Sequence, residues 1–519
     1  MATDAARLTP PMDTARPQKV LLGGITALAQ SAWMGFALAS NVLEQLRLAP
    51  AGILQRLSVV RPGLPRRIQL KGLLTREFSI GEASFILMAS FFLSAGLGAV
   101  RQVLFNARFG VSPEANAYYA AFRLPDTLFS LIAGGALSSA MIPVLLNARE
   151  QDGEAAGWRL ISQVLTTLLG VFALLIVGVE LFTPALVTRV LAPGFDSATS
   201  ALTVSLTRVM LLQPMILLLG SVATAVLNSR NQFLLTGLSV VSHNISLIVS
   251  ILAVGLIPGL GILGPTLGVI AGAILQVLIL SPGLRGQGYR VGLLWELGNH
   301  RLREVLRLLG PNGLSVGVNY AGFIVDTAFA SAALDPAGLP AIYNAFLLVG
   351  LPIALLGQAI GQASFPRLSK EAEAGHWSEM RRILLRSLGG AIGLALPAVG
   401  ALVLLGRPTI RVLFEHGQYT AAAGGLTYRI LVAYALALPA YVATEVTTRG
   451  LIALRDTRTP LFTNSGQLLF RVVLISLLIG RLGVVAIPVA FAISATLETL
   501  ILTAVLLTRL RNRLQSVAQ

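Results

Sequence analysis

Long apolar stretches separated by short polar segments fill the sequence from about residue 80 onward. An α-helix needs about twenty mainly apolar residues to cross a bilayer, and these stretches are that long. The pattern therefore predicts an all-α polytopic membrane protein with about twelve core spans. The predicted spans are 80–105, 115–146, 158–183, 200–227, 233–257, 262–282, 303–332, 341–366, 382–405, 424–452, 460–480 and 484–508.

The pattern also divides the chain into three parts. Residues 1–76 form an N-terminal extension that contains an uncharged segment, 20–43, followed by a basic linker. The segment 20–43 fits an extra membrane helix, an interfacial helix or a signal-like tract equally well. We assign residues 77–290 to an N-lobe with the first half of the core helices, and residues 291–519 to a C-lobe with the second half and a basic tail.

The two lobes repeat each other in sequence. The segment that begins at Tyr118 reappears from Ile342, and polar and turn residues recur in the same order. An even number of spans in each copy inserts both copies the same way up, so the repeats are parallel. Two such bundles enclose a cleft that can open to either side, which is typical of a transporter. Matched pairs are Tyr119/Tyr343, Phe122/Phe346, Pro143/Pro366, Gly194/Gly417 and Arg208/Arg429.

Charge in the loops predicts the orientation. Most loop arginines fall on one side of the predicted spans, and the opposite loops are poorer in them. By the positive-inside rule, both ends of the core are cytoplasmic. Arg407 and Arg411 fall on the outer side and count against this orientation. The basic loops also explain the net charge of +16 without nucleic acid as a partner.

Composition excludes several classes of function. The chain has 519 residues, of which 55% are hydrophobic and 12% charged, whereas soluble domains have about 25% charged residues. It has no cysteine, and its four histidines are scattered, so we expect neither thiolate catalysis nor a metal site. No catalytic motif is recognisable. We therefore expect a transporter without a cofactor rather than an enzyme.

Charged residues inside predicted spans are the candidate binding residues, because one at the bilayer centre costs about 3 kcal/mol. Arg123 and Asp126 are three positions apart on one helix, close enough to form a structural salt bridge. Alternatively, Arg101 and Arg123 present positive charge to an anionic substrate, since guanidinium binds phosphate with two hydrogen bonds. Asn116 and the neighbouring tyrosines would then line the same opening. The predicted substrate-binding residues are Arg101, Asn116, Arg123 and Asp126.

A second set of polar residues lies in the C-lobe spans. Asp326 has no basic residue within one turn of its helix, so its partner is Arg471 on another helix, a cation or a proton. Carboxylate and hydroxyl oxygens are suitable ligands for a hard cation. We therefore predict cation or proton coupling through Asp326, Ser494 and Glu498, driven by Na+, H+ or the membrane potential.

Several motifs occur in a fixed order: SAGLGAVRQVLFNARFG, ANAYYAAFRLPD, VLAPGF, VLNSRNQF, FPRLSKEAEAGHWSEMRRIL, LFEHGQYT and ALRDTRTP. Over about residues 80–510 the sequence resembles the MurJ/MviN family of lipid II flippases in the MOP exporter superfamily. The resemblance implies a MATE/MOP-like fold with a V-shaped cationic cavity. In that comparison Arg101 and Arg123 match basic residues of the family, and Asp326 matches an acid that helps some members bind sodium.

The resemblance also implies a function. It implies alternating-access movement of an undecaprenyl-pyrophosphate-linked peptidoglycan precursor by a monomer among the lipids of a bacterial plasma membrane. Two alternatives stay open: export of another substrate, such as a polyprenyl-linked glycan or an amphipathic drug, and an inactive membrane scaffold. They stay open because family positions have lost their usual residues. These departures are Ala95, Asn116, Phe129, Ser130, Gly134, Leu347 and Gly350.

Overall fold

The computed structural model describes residues 76–132, 136–284, 292–333 and 335–518. Within these ranges it is helical and contains no β-strand. The apolar segment 20–43, most of the predicted extension 1–76 and the predicted lobe boundary at residue 290 lie outside the described residues. The division into three parts therefore stays a prediction.

The helices follow the chain in a simple order. They are α1 Ile80–Phe109, α2 Pro113–Ile132, α3 Ala136–Leu186, α4 Ser197–Met210, α5 Leu212–Asn228, α6 Leu234–Ala253, α7 Leu263–Leu284, α8 His300–Ala332, α9 Gly338–Pro352, α10 Ala359–Glu373, α11 Trp377–Leu413, α12 Ala421–Ala453, α13 Arg458–Leu482 and α14 Ala486–Ala518. Two π-helical turns, Val187–Leu191 and Ile353–Gln358, follow α3 and α9, and a 3-10 turn, Gly483–Val485, precedes α14.

These helices confirm the prediction of an all-α membrane protein. Among the described residues, nine helical stretches are long and apolar enough to cross a membrane. Some predicted spans are assembled from two helices: 200–227 comprises α4 and α5, and 341–366 comprises α9, its π turn and α10. α3 itself bends at Gly153, where φ is 82°. Positive φ is a conformation that glycine adopts without steric cost.

The ends of α1 show how local sequence sets a helix boundary. Ser79 accepts a hydrogen bond from the backbone of Glu82, and the Glu82 carboxylate accepts one from the backbone of Ser79. This reciprocal capping satisfies two amide groups that no helical carbonyl can reach. At the other end the chain reverses at Gly110, where φ is 56°.

The surface and the interior differ as a lipid environment requires. Large apolar side chains point outward, as at Phe92, which is 82% exposed. Several buried hydroxyl groups are satisfied within their own helix: Thr203 donates to the carbonyl of Thr199 at 2.7 Å, and Thr427 donates to that of Ala423 at 2.9 Å. Such internal partners are needed because hydrocarbon offers none.

The same turn recurs in both lobes. After α5, Asn231 has φ of 57°, and after α12, Arg455 has φ of 60°. In each turn the next residue donates its amide to a carbonyl five positions earlier, from Gln232 to Leu227 and from Asp456 to Leu451, both at 3.0 Å. A positive φ is uncommon outside glycine. Its recurrence supports the duplication inferred from the sequence.

The segment 292–299, which leads into α8, is fastened to the second part of α3. The amide of Leu294 donates to Thr166 Oγ1 at 2.9 Å. The Glu296 carboxylate accepts hydrogen bonds from Arg159 and from Gln163, the latter at 2.6 Å. The hydrogen bonds and positive charge of Arg159, together with the bond from Gln163, hold the pKa of the Glu296 carboxyl below its ordinary value of 4.5.

Acid should loosen this segment. Because the folded-state pKa of Glu296 is lowered, its contribution to the folded state is present above about pH 4.5 and is lost as the pH falls through the lowered pKa. We expect hydrogen exchange of residues 292–299, corrected for intrinsic rates, to accelerate only in that acidic range. Glu296→Gln should exchange faster at neutral pH and lose the acidic step, and Glu379→Gln should behave like the unmodified chain. Equal profiles for all three proteins would contradict this account.

Candidate functional site

A cavity of about 250 Å³ lies where α2, in the predicted N-lobe, meets α8 and α9, in the predicted C-lobe. Polar, charged and aromatic side chains share its wall. The two lobes also approach each other closely at Gly317 of α8. A Cβ added there would lie 2.8 Å from the Leu131 side chain of α2. Its lining residues are Arg123, Asp126, Tyr320, Phe323, Asp326, Thr327, Leu339, Ile342, Tyr343, Phe346, Leu347 and Tyr434.

Arg123 is held in this wall by contacts that cross between the lobes. Its Nε donates to Thr327 Oγ1 at 3.2 Å. Its guanidinium lies 5.3 Å from the ring centre of Phe323 and 5.7 Å from that of Tyr343, distances at which a cation is attracted to an aromatic face. The salt bridge with Asp126 considered from the sequence is not formed: among the described ion pairs within 4.0 Å, none joins these two residues.

Asp326 is buried and forms an ion pair with Arg471 of α13. The Arg471 guanidinium also lies 4.9 Å from the ring centre of Phe491. Of the partners that the sequence left open for Asp326, the structure therefore contains the internal arginine. A buried pair of this kind neutralises two charges whose separate burial would be costly.

The other predicted coupling residues lie nearby on α14. Ser494 Oγ accepts a hydrogen bond from Gln467 of α13 at 2.7 Å. Gln467 lies one helical turn before Arg471. Glu498 follows Ser494 by one turn and is half-buried. Within the described parts of the chain, no group of three or more His, Cys, Asp and Glu residues could hold a metal ion.

Arg101 lies in a separate, smaller cavity of about 20 Å³. Its Nη1 donates to Asn244 Oδ1 at 3.2 Å, and Asn244 Nδ2 donates in turn to Ser94 Oγ at 2.9 Å. Tyr343 lines both cavities and stands between the two arginines. The structure thus places Arg101 and Arg123 in different cavities, which differs from the shared opening considered from the sequence.

A buried cluster of amides joins the lobes beside Arg101. Gln102 Nε2 donates to Asn344 Oδ1 of the C-lobe at 2.8 Å, and Asn106 Nδ2 donates to the same oxygen at 3.0 Å. The ring of Tyr119 lies 4.7 Å from that of its repeat partner Tyr343. Sequence reasoning missed this cluster. The available signal was the spacing of Gln102 and Asn106, which places two amides on one face of an apolar helix.

Asn116 also joins the two lobes, and it is not among the residues that line the two cavities described above. Its buried Nδ2 donates to the carbonyl of Ser112 at 3.2 Å and to that of Pro336 in the C-lobe at 2.8 Å. An asparagine amide can reach two backbone carbonyls, whereas the aspartate usual in the resembled family would offer only acceptors. Here Asn116 therefore fastens α2 to the loop that precedes α9.

Two glycine loops close the predicted outer side in matching ways. The amide of Gly194 donates to Ser331 Oγ at 3.2 Å, and the amide of Gln418, next to Gly417, donates to the carbonyl of Ala107 at 3.0 Å. A Cβ added to Gly194 would overlap the carbonyl oxygen of Ser331, and one added to Gly417 would overlap that of Ala107. Each loop thus sits against the end of the first helix of the other lobe.

Comparison with known proteins gives one consistent family. The family model described as "Lipid II flippase MurJ" matches residues 105–518. A probable lipid II flippase MurJ of Rhizobium tropici is 30% identical over 70% of this chain and 69% of its own length. The lipid II flippase MurJ of Burkholderia cenocepacia is 29% identical over 79% of this chain and 80% of its own.

Solved structures show the same fold. A structure titled "Lipid II flippase MurJ, inward closed conformation" matches with a TM-score of 0.69 at 24% identity, and covers 80% of this chain and 86% of that one. An inward-facing multidrug resistance MATE family transporter of the MOP superfamily also matches with a TM-score of 0.69, at 14% identity over 86% of this chain and 98% of its own.

The close approach at Gly194 predicts a specific effect of a methyl group there. We expect Gly194→Ala to separate its loop from Ser331 and open the outer side, because the added Cβ has backbone as its neighbour and nothing flexible to displace. With Leu347→Cys as a reporter in the cavity wall of this cysteine-free chain, labelling from outside by a membrane-impermeant maleimide should rise severalfold.

Gly425→Ala is the matched control, since nothing lies within 4 Å of a Cβ added to Gly425. Its labelling rate should equal that of the reporter protein alone. Equal labelling of the Gly194 and Gly425 variants, with both well inserted, would show that the Gly194 loop does not seal the outer side.

Proposed function

Since this chain belongs to the lipid II flippase MurJ family, we propose that it moves a lipid-linked peptidoglycan precursor across a bacterial inner membrane. The resemblance inferred from the motifs is confirmed, and the chain is a multi-pass membrane protein of helical MOP-type fold. The finer parts of the proposal are an undecaprenyl-pyrophosphate carrier, a monomeric transporter without enzymatic activity, and core termini that both face the cytoplasm.

This proposal rests on one observation, the incomplete hydrogen bonding of the Arg123 guanidinium. Its Nε is engaged by Thr327, and the rings of Phe323 and Tyr343 flank the guanidinium. The remaining N–H groups therefore keep spare hydrogen-bonding capacity toward a cavity between the lobes. A guanidinium stays charged and matches phosphate oxygens with two parallel hydrogen bonds, which suits the pyrophosphate of a lipid-linked sugar.

Among the residues that line the cavity, Arg123 is the one base, so it is the single point of attachment for an anion, and the Asp126 carboxylate in the same wall opposes that binding. Besides Arg123, the wall carries Asp126 and Asp326, and Asp326 is already balanced by Arg471. Leu347 stands in the wall where the family has a charged residue. We therefore propose that Arg123 grips the headgroup almost alone, and that aromatic and apolar walls contact the rest of the substrate.

Transport in this proposal follows from the closed outer side. The glycine loops, Asn116 and the amide cluster hold the lobes together near the outer ends of α1, α2 and α8. Substrate would enter while these contacts hold and would leave after they break. Alternating access of this kind matches the duplicated, parallel architecture.

Growth of bacteria depleted of their own lipid II flippase tests the proposed substrate. We expect this chain to restore growth, and Arg123→Gln to abolish rescue because a neutral amide loses the charge-assisted hydrogen bonds to phosphate, worth about 1.5–3 kcal/mol each. Arg189→Gln is the control, because Arg189 is exposed at the end of α3 and outside both cavities. Failure of the unmodified, well-inserted chain would instead favour a different substrate on the same scaffold.

We further propose that a cation, a proton or the membrane potential drives the cycle through Asp326, with Ser494 and Glu498 nearby. A cation or proton on Asp326 would release Arg471, and that would alter the contact between α8 and α13. The pair is buried and tightly partnered, so such a release would couple occupancy of one carboxylate to helix position.

Transport by the purified chain in vesicles tests this coupling. With an imposed Na+ or proton gradient, the unmodified chain should respond to one of them. Asp326→Asn should lose that response, because its amide neither charges nor binds a hard cation well. Asp335→Asn, a change in an exposed loop, is the control. A gradient response that survives Asp326→Asn would place coupling elsewhere.

A further inference from the structure

We propose that Arg149 and Arg230 form a phosphate-binding site at the predicted cytoplasmic end of the N-lobe, separate from the central cavity. The ligand class is a phosphate group, carried either by an anionic lipid headgroup or by a free phosphate ion. This inference does not depend on the proposed transport function. It rests on the geometry and the charge balance of the two arginines.

Two different elements bring the guanidinium groups together. Arg149 lies on α3 just before the bend at Gly153, and Arg230 lies in the turn after α5 that the positive φ of Asn231 shapes. Both guanidinium groups lie over one indole, at 5.8 Å and 5.6 Å from the ring centre of Trp158. Two positive charges so close to the same ring repel each other unless a nearby anion balances them.

Several N–H donors of the two arginines have no hydrogen-bond acceptor. The Arg149 side chain is only 9% exposed, and its Nη1 donates to Ser229 Oγ at 3.0 Å. Its Nε and Nη2, together with Nε of Arg230, are buried without an acceptor. A buried charged donor without an acceptor is costly, so this arrangement is incomplete by itself.

Among the described ion pairs, Glu154 is the one carboxylate that contacts both arginines. Its Oε2 accepts from Arg230 Nη2 at 2.7 Å and lies 3.5 Å from Arg149 Nε. The Glu154 side chain is 61% exposed and follows Gly153 directly, so it can turn away. One exposed carboxylate thus stands against two guanidinium groups, and a net positive charge remains.

Two neighbouring arginines, by contrast, carry no unbalanced positive charge. Arg159 has its own carboxylate in Glu296, and Arg301 has its own in Asp152. A phosphate group offers at least two free oxygens and can accept from both Arg149 and Arg230 once Glu154 leaves. Glu154 reaches both arginines through Oε2 alone, which leaves Arg149 Nη2 and Arg230 Nε without an acceptor.

The test uses the full chain with Trp158 as its single tryptophan, after Trp33, Trp295 and Trp377 are replaced by phenylalanine. In phosphatidylcholine nanodiscs, inorganic phosphate is titrated at constant ionic strength. In a second arm, phosphatidylglycerol nanodiscs are compared with phosphatidylcholine nanodiscs in the absence of phosphate. We expect a saturable change in Trp158 emission in at least one arm, and the responding arm identifies the source of the phosphate group.

Three variants test whether the change in Trp158 emission comes from this site. Arg230→Gln should weaken the apparent affinity, or the midpoint in phosphatidylglycerol content, about tenfold, as loss of one charge-assisted hydrogen bond implies. Glu154→Gln should strengthen it, because the competing carboxylate is gone, whereas a purely structural ion pair predicts no binding to strengthen. Arg382→Gln, which removes an exposed arginine paired within α11, should change nothing.

Three results would overturn the proposal: no saturable response in either arm, a response that Arg230→Gln leaves unchanged, or a weaker response in Glu154→Gln. Arg149 is the more buried arginine, and its replacement endangers folding. The decisive variants are therefore Arg230→Gln and Glu154→Gln.

Discussion

The structure depends on one constraint: a polar group at membrane depth must find its partner within the protein, because the hydrocarbon supplies none. Most intramembrane polar groups here obey it at least in part. Asp326 is matched by Arg471, and Asn344 accepts from both Gln102 and Asn106. Arg123 obeys it only in part, since one hydroxyl and two ring faces leave N–H groups unused. Asn344 Nδ2 and Arg471 Nε also lack an acceptor, but among these residues it is Arg123 that lines the cavity between α2, α8 and α9.

Duplication supplied the frame, and the two copies then diverged at positions that line the cavity. The turns at Asn231 and Arg455 share their backbone conformation, and the loops at Gly194 and Gly417 each meet the end of the opposite lobe's first helix. The side chains have not kept the symmetry. In the repeat that pairs Tyr119 with Tyr343, Arg123 falls opposite Leu347, and both line the same cavity. At this pair of matched positions the cavity is thus charged on one side and apolar on the other.

Sequence patterns located the spans well because the bilayer sets both their length and their polarity, and motif order identified the family. They did not reveal which residues meet across the lobes. The spacing of Arg123 and Asp126 suggested a pair on one helix, yet Arg123 turns to Thr327 of the other lobe, where a hydroxyl and two aromatic faces surround it. Asn116 likewise binds a carbonyl of the other lobe. Contacts between residues so far apart in the chain leave no local trace in periodicity.

The energetics of the cycle follow from these contacts. The outer seal includes a few neutral hydrogen bonds, each worth about 1 kcal/mol net, and close backbone contacts at Gly194 and Gly417. Apolar contacts add to it, because Leu191 and Ala192 are buried in one cluster with Ala330 of α8. Reversing a two-state population from 1:99 to 99:1 requires about 5.5 kcal/mol of differential binding. One guanidinium that binds phosphate contributes about 1.5–3 kcal/mol per charge-assisted hydrogen bond, and only the part that differs between the two states counts. Two such bonds from Arg123 total about 3–6 kcal/mol, so a headgroup held by Arg123 alone drives the full transition only where nearly all of that free energy differs between the two states. Otherwise the remainder has to come from the lipid chain, from an ion on Asp326 or from the membrane potential, which supplies about 2.3 kcal/mol per charge and 100 mV.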